Sequence, residues 1–109
     1  MITNVTKNTL MAENFANKSG LSKIRGLIFD KKAKAIMFRT RFGIHTFFMH
    51  RSIDLIVLDN KYKVVFLKES IKPNKIVLWN PKFNLIIELP DNSIKQSKTT
   101  IGDLLKISL

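Results

Sequence analysis

The chain has 109 residues, 45% of them hydrophobic, and nineteen Lys and Arg against eight Asp and Glu give a formal charge of +11. That length leaves room for one domain, residues 1–109 around one core, and the apolar fraction excludes a disordered chain. No cysteine is present, which excludes disulfides, thiolate zinc sites and cysteine nucleophiles.

The positive surface attracts polyanions such as nucleic acid, anionic lipid headgroups or acidic partners. Genome composition is a second source of that charge. Fifteen of the nineteen cations are lysines, and lysine, like the abundant Ile and Asn, has A/T-rich codons. The opening residues, MITNVTKNTLMAENFANK, are too polar for a signal-peptide core, and no apolar run reaches membrane-spanning length. A cytoplasmic protein is expected.

Residues 1–8 are polar and are expected to fray. TLMAENFA, residues 9–16, alternates loosely and predicts a first strand. NKSG then leads into a short helix near residues 19–28, where Leu21, Ile24, Leu27 and Ile28 make one apolar face. Ser19 or Ser22 can cap its start, and Gly26 weakens it by about 1 kcal/mol relative to Ala. After the polar stretch DKKAK, AIMF (residues 35–38) predicts a buried strand that ends at the basic corner Arg39-Thr40-Arg41.

Two strands follow, residues 44–49 and 53–58, joined by His50-Arg51-Ser52. Leu55 to Leu58 are apolar at successive positions, so this strand should be covered on both faces. Asp59, Asn60 and Lys61 turn the chain into an antiparallel hairpin partner, residues 62–68. A loop around Pro73, a strand at 76–79 stopped by Asn80-Pro81, and a strand at 83–89 ended by Pro90 come next. DNSIKQSKTT reads as a polar loop and LLKIS as the last strand. The fold class predicted is mainly β, a compact antiparallel sandwich or barrel-like domain with one short helix.

The order of pieces carries a resemblance. Arg25-Gly26-Leu27 precedes the AIMF strand, then come Phe47-Phe48-Met49, Ile53-Asp54 opening a strand that closes on Asp59, Val64-Val65, Glu88-Leu89-Pro90 and Gly102-Asp103. Together, from about residue 10 to the C-terminus, they resemble the domain of unknown function 192 family. Phe48 stands where that family has tryptophan, His50-Arg51-Ser52 replaces a Lys-Asn-Thr-like link, and Asp91-Asn92 replaces Ala-Gly, with Asn able to supply a left-handed turn. The resemblance implies a β-sandwich-like domain. It brings no agreed activity and no catalytic residue.

The residues themselves offer several candidates. Asp54, at the head of a doubly covered strand, must be hydrogen-bonded or paired, either as a structural tie to backbone N–H groups or as a partner that orients a histidine. His45 and His50 point to opposite faces of an extended chain and cannot share one metal without a bulge. Arg39, Arg41 and Arg51 flank the central stretch and interleave with Phe38, Phe42 and Phe47, a combination suited to phosphate or carboxylate forks and to stacking, or simply to solvated strand ends with the Phe side chains in the core. Glu88 and Asp103 read as a cross-strand partner of a lysine and a turn residue. No GxGxxG, P-loop, HExxH or EF-hand pattern occurs, and no metal ligands or cofactor are expected. The leading expectation is a non-enzymatic binding module that meets an anionic ligand, or nucleic acid non-specifically, through Arg39, Arg41, His45, His50, Arg51 and Asp54. The alternatives are a small enzyme pairing His45 or His50 with Asp54, and a structural or assembly protein.

Overall fold

A computed structural model describes residues 1–17, 35–47 and 49–108. Among them, in chain order, are the strands β1 (Ile2–Asn4), β2 (Thr9–Ala12), β3 (Ala16–Asn17), β4 (Ile36–Arg39), β5 (Gly43–His45), β6 (Ile53–Leu58), β7 (Val64–Ile71), β8 (Ile76–Leu78) and β9 (Leu85–Pro90), the short helix α1 (Ser93–Ser97), and β10 (Leu105–Ile107). The architecture is mainly β, as the apolar spacing predicts, and forms three layers.

The middle layer is a five-stranded sheet in the order β3-β4-β9-β6-β7. Its pairings are antiparallel apart from the short parallel match of β3 with β4. All six residues of β6 are buried. Because side chains alternate across a strand, Ile53, Leu55 and Val57 enter one core with Phe38, Ile86, Ile44, Val77 and Trp79. Ile56 and Leu58 enter the other, with Ile2, Ile87, Leu89, Ile94 and Leu105. Each such side chain contributes about 1.5–3 kcal/mol when fully buried. The first core is covered by the two-stranded ribbon β5-β8, and the second by the three-stranded sheet β10-β1-β2 together with α1. The expected double cover of this strand is present.

Three local expectations change. Residues 1–8, expected to fray, supply β1, the central strand between β10 and β2, with Ile2 and Asn4 fully buried. The stretch read as a polar loop, DNSIKQSKTT, contains α1. Its entry and exit residues, Asn92 at φ 73° and Lys98 at φ 59°, are left-handed, and the Lys98 N–H closes the helix onto the Ile94 and Lys95 carbonyls. The strand expected to reach Met49 stops at His45, because Thr46 turns aside. The Thr46 N–H donates to the Lys75 carbonyl at 2.8 Å and its hydroxyl to the Lys72 carbonyl at 2.7 Å. The helix expected near residues 19–28 lies outside the described residues.

Candidate functional site

The predicted basic corner divides between two ends of the middle sheet. Arg39 closes β4 and pairs in register with Leu85, which pairs with Leu58 at the end of β6. Arg51 and His50 precede Ile53, the opposite end of β6, beside Ile71 and Pro90. At about 3.3 Å per residue the strand alone separates the two ends by about 17 Å. Arg39 is therefore parted from Arg51 and His50, and Arg41 lies two residues beyond the end of β4.

At the Arg39 end the mouths of β4, β6 and β9 form a cleft of about 190 Å³, lined by Arg39, Leu58, Asp59, Asn60, Lys82, Phe83, Asn84 and Leu85. The Arg39 guanidinium donates to the Asn84 side-chain oxygen at 3.0 Å, so one arm of the fork is held and the head is aimed. The Thr40 N–H donates to the Asn84 carbonyl at 2.9 Å, which fixes the backbone leaving β4. Lys82 sits 5.8 Å from the centre of the Phe83 ring, within reach of its negative face. The carboxylate in the cleft, Asp59, is engaged locally: one oxygen accepts the N–H groups of Lys61 and Lys63 at 2.8 and 2.9 Å. Burial raises its pKa, but those two N–H bonds and the Lys63 and Lys61 charges together outweigh that and hold it below the usual value. The mouth thus presents two cations and a carboxylate already turned toward its own loop.

Asp54 is not available to a ligand. It is fully buried, and its two oxygens accept the Ser70 N–H at 2.9 Å and the Ile94 N–H at 2.8 Å. The first donor exists because β7 carries a bulge opposite Asp54, where the register steps from Ile53↔Ile71 to Leu55↔Lys68 and Ser70 takes φ 51°. The second belongs to the first turn of α1, which has no side-chain cap of its own. Burial raises the Asp54 pKa, the Ile94 and Ser70 N–H bonds oppose it, and the nearby charges of Asp91 and Glu69 add to the rise. Of the two roles open to Asp54, the geometry is that of the structural tie to backbone N–H groups, joining β6, β7 and α1, and neither His45 nor His50 is among its hydrogen-bond partners. Among the described residues, no group of three or more His, Cys, Asp or Glu converges on a metal-sized space.

His45 lies on the exposed face of the β5-β8 ribbon, stacked on Phe47 with ring centroids 4.8 Å apart. Its cross-strand partner is Ile76, and Gly43 faces Leu78. A Cβ on Gly43 would lie 2.3 Å from the Val77 carbonyl oxygen, so the glycine is what lets the two strands approach.

Sequence reasoning missed Lys82, Phe83 and Asn84. Their signal was the Asn80-Pro81 strand stop, which places the next three residues at a strand mouth. What the sequence does not display is that β9 lies between β4 and β6, bringing this mouth to Arg39.

No family model matches the chain. Among solved structures, a protein of Sinorhizobium meliloti 1021 provisionally described as a transcription regulator superposes with a TM-score of 0.71 at 14% identity, over 85% of this chain and 78% of that one. A protein of unknown function from Novosphingobium aromaticivorans does so with a TM-score of 0.69 at 13% identity, over 86% and 73%. At such identities the likeness is one of fold. The UPF0127 protein PH1112 of Pyrococcus horikoshii is 34% identical over 113 residues, spanning 97% of each chain. A match of that extent at that identity shows the family: the chain belongs to the uncharacterised UPF0127 family.

Proposed function

We propose that the protein is a non-enzymatic binding module that takes a small anionic ligand, a phosphate or carboxylate compound, in the cleft at Arg39. The observation that supports this is the Arg39 guanidinium, oriented by Asn84 and accompanied by Lys82, at the mouth of a cleft whose carboxylate is held by its own turn. A planar fork with one arm fixed keeps free donors for an anion. Nucleic acid remains a non-specific partner of the overall charge in this reading, and Arg41 adds to the field near the cleft. We place the protein in the cytoplasm, where a cysteine-free chain forgoes nothing. Among the described residues no helix is long and apolar enough to cross a membrane. The motif order from Arg25 to Asp103 supports the finer placement in the domain of unknown function 192 family.

The reading is tested by titrating inorganic phosphate, pyrophosphate and citrate while following backbone amide shifts and Trp79 emission. Trp79 is the single tryptophan, and its indole N–H donates to the Phe83 carbonyl in the cleft wall at 2.8 Å. Saturable shifts at Lys82, Phe83 and Asn84, weakened about tenfold or more in Arg39→Ala, are expected from the loss of a charge-assisted hydrogen bond. Shifts scattered over all lysines, or equal affinity in Arg39→Ala, would remove the cleft as the site.

A further inference from the structure

The outer face of the β5-β8 ribbon carries a second surface that the cleft does not use. Ile76 and Leu78 are 64% and 69% exposed, Phe42 is 64% exposed and Phe47 38%. They are adjacent: His45 pairs with Ile76 and Gly43 with Leu78, the Trp79 N–H donates to the Phe42 carbonyl, and Phe47 stacks on His45. The inward residues of the same strands, Ile44 and Val77, are already in the core, so the outward apolar set is surplus to the fold. Water should not face so much aliphatic surface on one ribbon without a partner.

The charge around this face limits what the partner is. Arg39, Arg41 and Arg51, in the stretch that carries β5, and Lys72, Lys75 and Lys82, in the stretch that carries β8, are all exposed. The stretches that carry them, residues 39–53 and 70–87, contain no Asp or Glu. A second copy of the chain would bring like charges together around the patch. Bases of single-stranded nucleic acid need flat partners, yet two of the three most exposed side chains are aliphatic, and His45 and Phe47 already spend one face on each other. An anionic bilayer satisfies both features, taking aliphatic and aromatic tips below its headgroups and cations at them.

We infer that the β5-β8 ribbon is a peripheral docking face for an anionic phospholipid surface, with Ile76, Leu78 and Phe42 entering the interface and Arg41 and Lys75 meeting the headgroups. This is independent of the anion cleft, since neither Ile76 nor Leu78 lines it.

The experiment is co-sedimentation of the whole protein with vesicles of phosphatidylglycerol and phosphatidylcholine, with vesicles of phosphatidylcholine alone, and, in parallel, binding to a labelled single-stranded oligonucleotide pool. Ile76→Ser/Leu78→Ser and Arg41→Glu/Lys75→Glu are compared with the parent, their fold checked by circular dichroism. The result expected is binding to the anionic vesicles and not to the neutral ones, weakened at least about tenfold by either double substitution. Anionic-vesicle binding that survives Ile76→Ser/Leu78→Ser overturns the proposal, because charge alone would then account for it. So does binding to the oligonucleotides with none to vesicles, or equal binding to neutral vesicles. Phosphate shifts at Lys82 and Asn84 are read in a separate titration, so failure of the cleft and failure of the ribbon are distinguishable.

Discussion

Asp103 and Asp54, both buried carboxylates, tie strands and loops together and respond to acid in opposite directions. Asp103 accepts from the Asn4 amide at 2.9 Å, from the Lys7 ammonium at 2.8 Å and from the Thr100 N–H at 3.0 Å. Burial works against its charge, but the Asn4 and Lys7 bonds, the Thr100 N–H and the Lys7 charge outweigh that and lower its pKa to about 2. A carboxylate depressed in the folded state adds stability that is complete above its unfolded value and is lost as pH falls through the folded one. Stability should therefore decline between about pH 4 and pH 2 by about 1–2 kcal/mol from this group, discounted for the partly exposed lysine. Urea midpoints across that range should show the decline in the parent and a smaller one in Asp103→Asn, where Asp59 still contributes. Asp54 has a raised pKa, so the stability its protonation adds is complete once pH has fallen to its unfolded value, above the range in which Asp103 loses its own. Asp54→Asn turns an amide donor toward one of the two N–H groups that the carboxylate accepts. A cost of about 1–3 kcal/mol is expected in chemical denaturation. The need to satisfy Asp54 was legible from its apolar neighbours. Its partners were not, because Ser70 and Ile94 reach it only through a bulge and a helix start that hydrophobic spacing does not encode.

At the scale of elements, the ribbon depends on one glycine. Gly43→Ala places a methyl group 2.3 Å from the Val77 carbonyl oxygen and 2.7 Å from a Leu78 methyl. The backbone contact cannot be relieved by a rotamer change, so β5 and β8 must part. Loss of about 1–3 kcal/mol, with a change in Trp79 emission as the strand below it shifts, is the expected outcome. The strands themselves were readable wherever apolar residues alternate or run together, as in β6 and β9. The helix α1 was not readable. Five residues with two of them buried offer no full period, and the local Asp91-Asn92-Ser93 reads equally as a turn because no side chain there caps the start; the Ile94 N–H is met instead by Asp54 from β6, far away in sequence. β1 was hidden for a related reason: Ile2 and Asn4 point inward from an otherwise polar segment, and Asn4 is buried because Thr99 and Asp103 meet it.

For the whole molecule, the +11 charge sets a background that any specific site must rise above. Binding to a mixed single-stranded pool should fall with salt at a log–log slope of about −0.7 for each phosphate contact. We expect Lys61→Ala/Lys63→Ala, at the hairpin turn, to reduce that slope as much as Arg39→Ala/Arg41→Ala. A steeper effect of the arginine pair would instead show that nucleic acid enters the cleft. Composition made the background visible at once. It gave no sign that the cations would separate into an Arg39 mouth and an Arg51 edge, because that division follows from strand order.

Strand order also governs how the chain comes to be folded. β1 pairs with β10 from Ile2↔Ile107 to Asn4↔Leu105, and the Asn4 and Lys7 side chains wait for Asp103. A ribosome therefore releases the first strand long before it makes its neighbour. Such pairings raise contact order and slow the search for the native state. Until residue 107 has emerged, Ile2 and the face of the middle sheet beneath it stay open to solvent, and the nascent chain is at its most vulnerable to aggregation and to capture by chaperones.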